Sequence, residues 1–350
     1  MPGKPGRPVA LLFPGQGAQH PRMAAGLYGH YAAFTAVMDR AFRLLGDAGP
    51  ELRADWLSDR PSARFDDVTQ AQPLLYAVNC ALGQQVLSWG VEPAALLGHS
   101  VGEMTAATLA GVFGFTSGMT LMRDRMAVFA GTPPGGMLAV AASVDEVGPY
   151  LDGSQVAVAA VNATRQLLLA GEREPLTEVG GRLAAGGITC RDVRARQAFH
   201  SPVVADAAEQ SAAAWESIRL APPRRTVYSG YLAAILPAAT ATDPAFWARQ
   251  PAEPVLFGPA LDRLLADGGY LLAEAGPGQS LTALARRHPA VQSGRSDTVA
   301  LLPARPGDAA DDRRCLEAAR ERLAAEGALP AGPPDPEPDR NNPGGNHAGH

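Results

Sequence analysis

The chain has 350 residues, with 30 Lys and Arg against 35 Asp and Glu, a formal charge of −5. Its 46% hydrophobic content supplies a sizeable core and excludes global disorder, and the acidic balance excludes a broad electrostatic binder of nucleic acid or membrane surface. Its 38 Gly and 31 Pro make about a fifth of the chain, against roughly 12% in ordinary usage. No apolar run approaches the roughly 18 residues of a membrane helix, and the first residues lead only into the short run Val9–Phe13, without a signal-peptide pattern. A cytoplasmic location is therefore expected. Three scattered cysteines, Cys80, Cys190 and Cys315, make neither a disulfide frame nor a zinc pattern, so no metal is expected.

In chain order, residues 8–13 predict a short buried strand, ended by Pro14-Gly15-Gln16-Gly17. Apolar spacing over 24–46 predicts one helix, and Pro73 opens a second that runs to about Trp89. Residues 94–97 predict a strand, 98–102 a tight turn, 103–110 a buried helix and 117–130 another helix. The run 131–136 is a loop, after which the pattern changes. Strand 137–142, helix 144–151, strands 156–161 and 166–170, helix 175–185 and strand 188–193 form a β-α-β-β-α-β succession, the ferredoxin-like signature. Longer helices are expected afterwards, with strands at 270–273 and 298–302 and an amphipathic helix over 309–326. The expected organisation is a large α/β unit over 1–133 and 199–327, an inserted ferredoxin-like unit over 134–198, and a disordered tail over 328–350, where Pro, Gly, Asn and Asp concentrate.

Gly98-His99-Ser100-Val101-Gly102 fits G-x-S-x-G between a predicted strand and a predicted helix, the context that gives this pattern meaning. The turn strains Ser100 and exposes its hydroxyl, while the following helix aims free N–H groups at the same spot, so the N–H of Val101 is a natural oxyanion donor. A serine hydroxyl needs a base at neutral pH. Among seven histidines, His99 adjoins the serine and should point elsewhere, and His200 lies where the chain re-enters the large unit, at the kind of junction that forms a cleft. Spacing alone leaves the choice between a base and a structural histidine open.

Taken together, Phe13-Pro14-Gly15-Gln16-Gly17-Ala18-Gln19, Gly98-His99-Ser100-Val101-Gly102-Glu103, Arg125 and Ala198-Phe199-His200-Ser201 resemble the malonyl-CoA:acyl-carrier-protein transacylases, which include the acyltransferase domains of polyketide synthases. Gln72-Pro73, Asn162, Gln250 and Glu274-Ala275-Gly276-Pro277-Gly278 support the likeness, which covers about 8–305. The resemblance implies an α/β hydrolase-like large domain with an inserted ferredoxin-like small domain. It implies ping-pong transfer of a malonyl group from malonyl-CoA, through an ester on Ser100, to the phosphopantetheine thiol of an acyl carrier protein, with no cofactor. His200 is then the base, oriented by the backbone carbonyl of Gln250, and the N–H groups of Gln16 and Val101 form the oxyanion hole. His99, Gln72 and Asn162 are carried over as substrate-binding positions.

Arg125, alone, reads as a surface helix cation; the resemblance instead turns it into the cleft, where a guanidinium pairs bidentately with the free carboxylate of malonate. Such a pair supplies ~2–5 kcal/mol of discrimination against uncharged acyl groups. The resemblance makes Phe199 the wall that excludes a C2 methyl group. Gln197 departs from the His-Ala-Phe-His form common among malonyl enzymes and leaves unusual extender units as an alternative. Further alternatives are carrier-to-carrier transfer of a non-malonyl group and an editing acyl-thioester hydrolase. The expected enzyme is a monomer that meets its carrier in trans, in polyketide or fatty-acid assembly, with Arg286 and Arg287 as candidates for docking an acidic carrier.

Overall fold

The computed structural model describes residues 6–193 and 195–330. Val9–Phe13 (β1) is five apolar residues, all buried, as a strand covered on both faces requires. It lies between Ala95–Gly98 (β2) and Leu271–Glu274 (β9) in a six-stranded sheet of order β10-β9-β1-β2-β7-β8, completed by Val227–Ser229 (β7), Ala234–Ile235 (β8) and Asp297–Ala300 (β10). All pairs are parallel except β7 with β8. Parallel pairing brings the carboxyl ends of β1 and β2 together, so the loops after Phe13 and Gly98 meet at one edge, where open α/β sheets place their sites.

The loop after β2 turns at once into the helix Val101–Ala110. This turn is possible because two positions lack a Cβ. At Gly98 a Cβ would lie 2.0 Å from the carbonyl carbon of Gly102, and at Gly102 it would lie 2.0 Å from the carbonyl oxygen of Phe13. The helix thereby packs backbone to backbone against both central strands.

The second sheet comprises Gly135–Val140 (β3), Ala157–Ala163 (β4), Gln166–Glu172 (β5) and Cys190–Val193 (β6). Its order, β4-β5-β3-β6, is antiparallel throughout, the ferredoxin-like arrangement expected from the β-α-β-β-α-β pattern. Helices Val144–Leu151 and Arg173–Ala185 bury Val147, Leu176, Val179 and Leu183 against Leu138, Val140, Leu167 and Leu169. Backbone joins β4 to the segment that follows Gln250–Ala252 in the large unit: Val161 N–H donates to Val255 O (2.8 Å), and Val255 N–H donates to Ala159 O (2.9 Å). The whole is a large α/β hydrolase-like unit carrying a small ferredoxin-like one.

Several expectations change. The single helix over 24–46 is a 3-10 turn, Ala25–Leu27, followed by a helix from Ala32 to Leu44, and Ala48–Leu57 is a further helix. The C-terminal helix Ala309–Ala325 holds that turn: Gly26 N–H donates to Asp312 Oδ2 (2.9 Å), and Tyr31 Oη donates to Glu317 Oε1 (2.5 Å). Such long-range contacts override local periodicity. The second helix starts at Val68, not Pro73, because Asp67 accepts from Thr69 N–H (3.0 Å) and caps it. After His200 the helices are mostly short, such as Ala205–Gln210, Ala212–Glu216 and Pro244–Arg249, in a stretch punctuated by Pro222, Pro223, Pro237, Pro244 and Pro251. The expected tail over 328–350 lies outside the described residues from 331 onward. Ala328 and Leu329 pack against the main core, and Ala328 N–H donates to Leu323 O (3.0 Å), so the folded unit runs past 327.

Replacing Gly102 by Ala should lower stability by about 3 kcal/mol or more, as the new methyl forces the helix off β1. Urea unfolding followed by tryptophan fluorescence measures this, and an unchanged midpoint would show that the strand–helix contact relaxes freely.

Candidate active site

Ser100 sits between β2 and the helix Val101–Ala110 with φ 54° and ψ −118°, a conformation that a residue with a Cβ adopts only when its surroundings impose it. Its Oγ lies 2.8 Å from Nε2 of His200. His200 also has a positive φ, 62°, and its N–H donates to Pro251 O (2.6 Å). Nδ1 of His200 lies 2.9 Å from Glu253 O and 3.2 Å from Gln250 O. Both partners are carbonyls, which only accept, so Nδ1 carries the proton and Nε2 keeps its lone pair for the serine hydroxyl.

The Gln250 carbonyl thus lies beside the ring, but the carbonyl of Glu253 is nearer. The sequence carries no mark of it, because any residue type offers the same carbonyl. Burial depresses the His200 pKa to about 4, with the charges of His99 and Arg125 acting in the same direction against the two carbonyls. At neutral pH the ring is therefore uncharged and able to take a proton.

Gln16, on the loop after β1, and Val101, at the first turn of the helix, have N–H groups that carry no hydrogen bond among the described residues. The loop is fixed from behind: Asn79 Nδ2 donates to Pro14 O (2.9 Å), and Gln72 Nε2 donates to Gln16 Oε1 (2.6 Å). His99 and Asn162 are brought to each other rather than to the cavity. His99 Nε2 lies 2.8 Å from Asn162 Oδ1, which ties the nucleophile turn to β4 of the small sheet. Glu274 serves the helix Ser280–Ala285, accepting from the N–H groups of Leu281 and Thr282.

A cavity of about 30 Å³ opens beside Ser100, lined by Gln72, Val101, Arg125, Phe199, His200, Tyr231 and Gln250 among others. Arg125 comes from the helix Phe115–Ala130 and is buried. Its guanidinium lies over Trp215 and Phe129, at 5.5 and 5.8 Å from the ring centroids. Nη1 reaches only the sulfur of Met104 (3.2 Å), a weak acceptor, and Nε has no partner among the described residues. Desolvation lowers its pKa to about 10, so it stays charged at neutral pH. Phe199 packs on Phe129 (5.2 Å between centroids) and lies 6.3 Å from the His200 ring.

Tyr231, another wall of the cavity, was not foreseen as part of the site, and Glu103 behind it stood only as the last residue of the Gly98–Glu103 motif, without a role. Neither belongs to a periodic pattern, and Tyr231 follows β7, a strand too short to read from alternation. Arg286 and Arg287 do not line the cavity: Arg286 Nε donates to Thr298 Oγ1 (3.2 Å), and Arg287 Nη1 to Gln166 Oε1 (3.3 Å).

A strained serine hydrogen-bonded to an uncharged histidine, with unspent N–H groups on the loop after β1 and at a helix start, has the chemical means for acyl transfer. Residues 10–322 match the acyl transferase domain. The chain belongs to that family. A component of the phenolphthiocerol/phthiocerol polyketide synthase of Mycobacterium tuberculosis is 36% identical over 282 residues, 80% of this chain and 19% of that protein. This acyltransferase thus spans about a fifth of the length of that relative. Among solved structures, the acyl transferase domain of SpnD in complex with 2-(pent-4-yn-1-yl)malonyl matches with a TM-score of 0.85 and 31% identity, over 92% of this chain and 77% of that one. FabD from Acinetobacter baumannii shares the fold, with a TM-score of 0.80 at 22% identity over 91% of this chain and 99% of that one. Among the described residues no helix is long and apolar enough to cross a membrane.

A fluorophosphonate reagent reads the serine directly. Labelling should vanish in Ser100→Ala and slow by about 10²–10⁴-fold in His200→Ala. In the wild type the rate should hold level from pH 8 to pH 5 and fall through the folded His200 pKa of about 4. A midpoint near 6.5 would show a hydrated ring.

Proposed function

We propose that this acyltransferase loads a malonyl group from malonyl-CoA onto Ser100 and passes it to the phosphopantetheine thiol of an acyl carrier protein. The observation that carries the reading is Arg125, a buried cation beside the nucleophile with no ion-pair partner among the described residues. An unpaired buried charge is costly, and a ligand that supplies a carboxylate removes that cost. An acyl group that ends in a carboxylate, attached through a thioester, satisfies Arg125 and Ser100 together. The malonyl-type ligand named for the SpnD domain has the same chemistry.

In the first half-reaction His200 Nε2 takes the proton as Ser100 Oγ attacks the thioester carbonyl. The tetrahedral oxyanion falls to the N–H groups of Val101 and Gln16. Collapse expels the CoA thiolate, which recovers the proton from His200, and leaves a malonyl-serine ester. In the second half-reaction the carrier thiol gives its proton to His200 and attacks that ester. Ser100 leaves and takes the proton back. Phe199, packed on Phe129, closes one side of the acyl space and favours an unbranched C2. Carrier-to-carrier transfer of an uncharged group leaves Arg125 without a partner.

Intact mass after incubation with malonyl-CoA tests the reading. The wild type should gain one malonyl group and pass it to an added holo carrier protein, and Ser100→Ala should gain none. Arg125→Ala should lose about 10²–10³ in malonyl kcat/KM while its preference shifts toward acetyl-CoA. Unchanged malonyl kinetics in that variant would overturn the assignment.

A further inference from the structure

Glu103 is fully buried on the helix Val101–Ala110, near the nucleophile that begins it. Its carboxyl holds the segment after β7. Ser229 Oγ donates to Oε1 (2.5 Å), and Gly230 N–H donates to Oε2 (2.7 Å). Tyr231 N–H then donates to Ser229 Oγ (3.1 Å), while the carbonyl of Gly230 accepts from Leu256 N–H (2.5 Å). The backbone that bears Tyr231 is therefore anchored to the same helix that presents Ser100. This is the kind of supporting contact that holds a side chain within a few tenths of an ångström.

From this anchor the Tyr231 ring enters the cavity and stands 6.1 Å from the His200 ring. The hydroxyl feels both the Arg125 charge and the Ser100 hydroxyl, and burial with the nearby Glu103 keeps it protonated. It is thus a neutral donor on the wall of a small cavity. Arg125, on the same cavity, has a bare Nε and an Nη1 that rests on sulfur. An ionised carboxylate offers about four lone-pair sites, more than one guanidinium fork fills.

We infer that Tyr231 is a specificity-determining residue whose hydroxyl donates a hydrogen bond to the free carboxylate of the bound acyl group, beside Arg125. The inference rests on the malonyl reading and adds a second, uncharged donor to it. A phenol on an anchored turn loses little freedom on binding and has a fixed direction. It rewards a carboxylate at one distance from the thioester and does nothing for a methyl group in its place.

The test is the ratio of kcat/KM for acylation by malonyl-CoA to that by acetyl-CoA, in wild type, Tyr231→Phe, Arg125→Ala and the double variant. Tyr231→Phe keeps the ring and should lower the ratio by about 10- to 100-fold. In the Arg125→Ala background the same change should have much less effect, because the carboxylate that couples the two is no longer held. An equal loss for both acyl donors would overturn the inference and place the hydroxyl on Ser100 instead. An unchanged ratio would overturn it as well. If wild type takes up malonyl and Arg125→Ala does not, either of those results removes only the role of Tyr231. If wild type takes up no malonyl, the functional reading and this inference fall together.

Discussion

The hydrogen bond between Ser100 and His200 joins two residues that both hold a positive φ. Each such conformation costs about 1–3 kcal/mol and persists only where the surrounding fold imposes it. On the serine side, β1, β2 and the following helix impose it through the approach of Gly98 and Gly102 to neighbouring backbone. On the histidine side, the Gln250–Glu253 segment grips the residue at its N–H and at Nδ1. Neither side tolerates much adjustment, so the fold itself fixes the 2.8 Å contact. Cavity, oxyanion donors and Arg125 are all arranged around that fixed pair.

Burial sets the electrostatics. The same desolvation lowers the His200 and Arg125 pKa values and raises that of Glu103 to about 8. The effects differ in consequence. His200 is made neutral, which readies it as a base. Arg125 remains charged, so it lacks only an anion. Glu103 is spent on structure, through the turn that carries Tyr231. Arg125 is the smallest of the causes that depress His200; on the proposed function a carboxylate bound to Arg125 acts against it.

Much of this was legible in the residues. The buried run Val9–Phe13, the glycines around Ser100 and the alternation of strands and helices over 135–193 are local signals, and local physics determined their outcome. The family likeness supplied His200, Gln16, Gln72, Phe199 and Arg125, and each stands at or beside the cavity. What was not legible depends on contacts distant in sequence. The break before Ala32 is held by Asp312 and Glu317, and the early start of the helix at Val68 by an aspartate cap that outweighs an internal proline. Glu253 acts through a carbonyl and leaves no trace in residue type. Tyr231 is placed by a buried carboxyl 128 positions earlier.

His200 leans on two carbonyl oxygens and not on a carboxylate. A carbonyl aligns the ring without offering a full negative charge to the imidazolium, so a captured proton is held loosely. In the proposed reaction that suits thiols as the groups exchanged on Ser100. A thiol near pKa 8.5 needs little help to ionise and leaves readily as a thiolate. In the proposed cycle His200 takes a proton from one partner and returns it to the other, so it is uncharged in each resting acyl state and favours neither direction. On that reading net flow is set by which thiol is supplied and which is drawn away, and the site serves exchange more than one-way transfer.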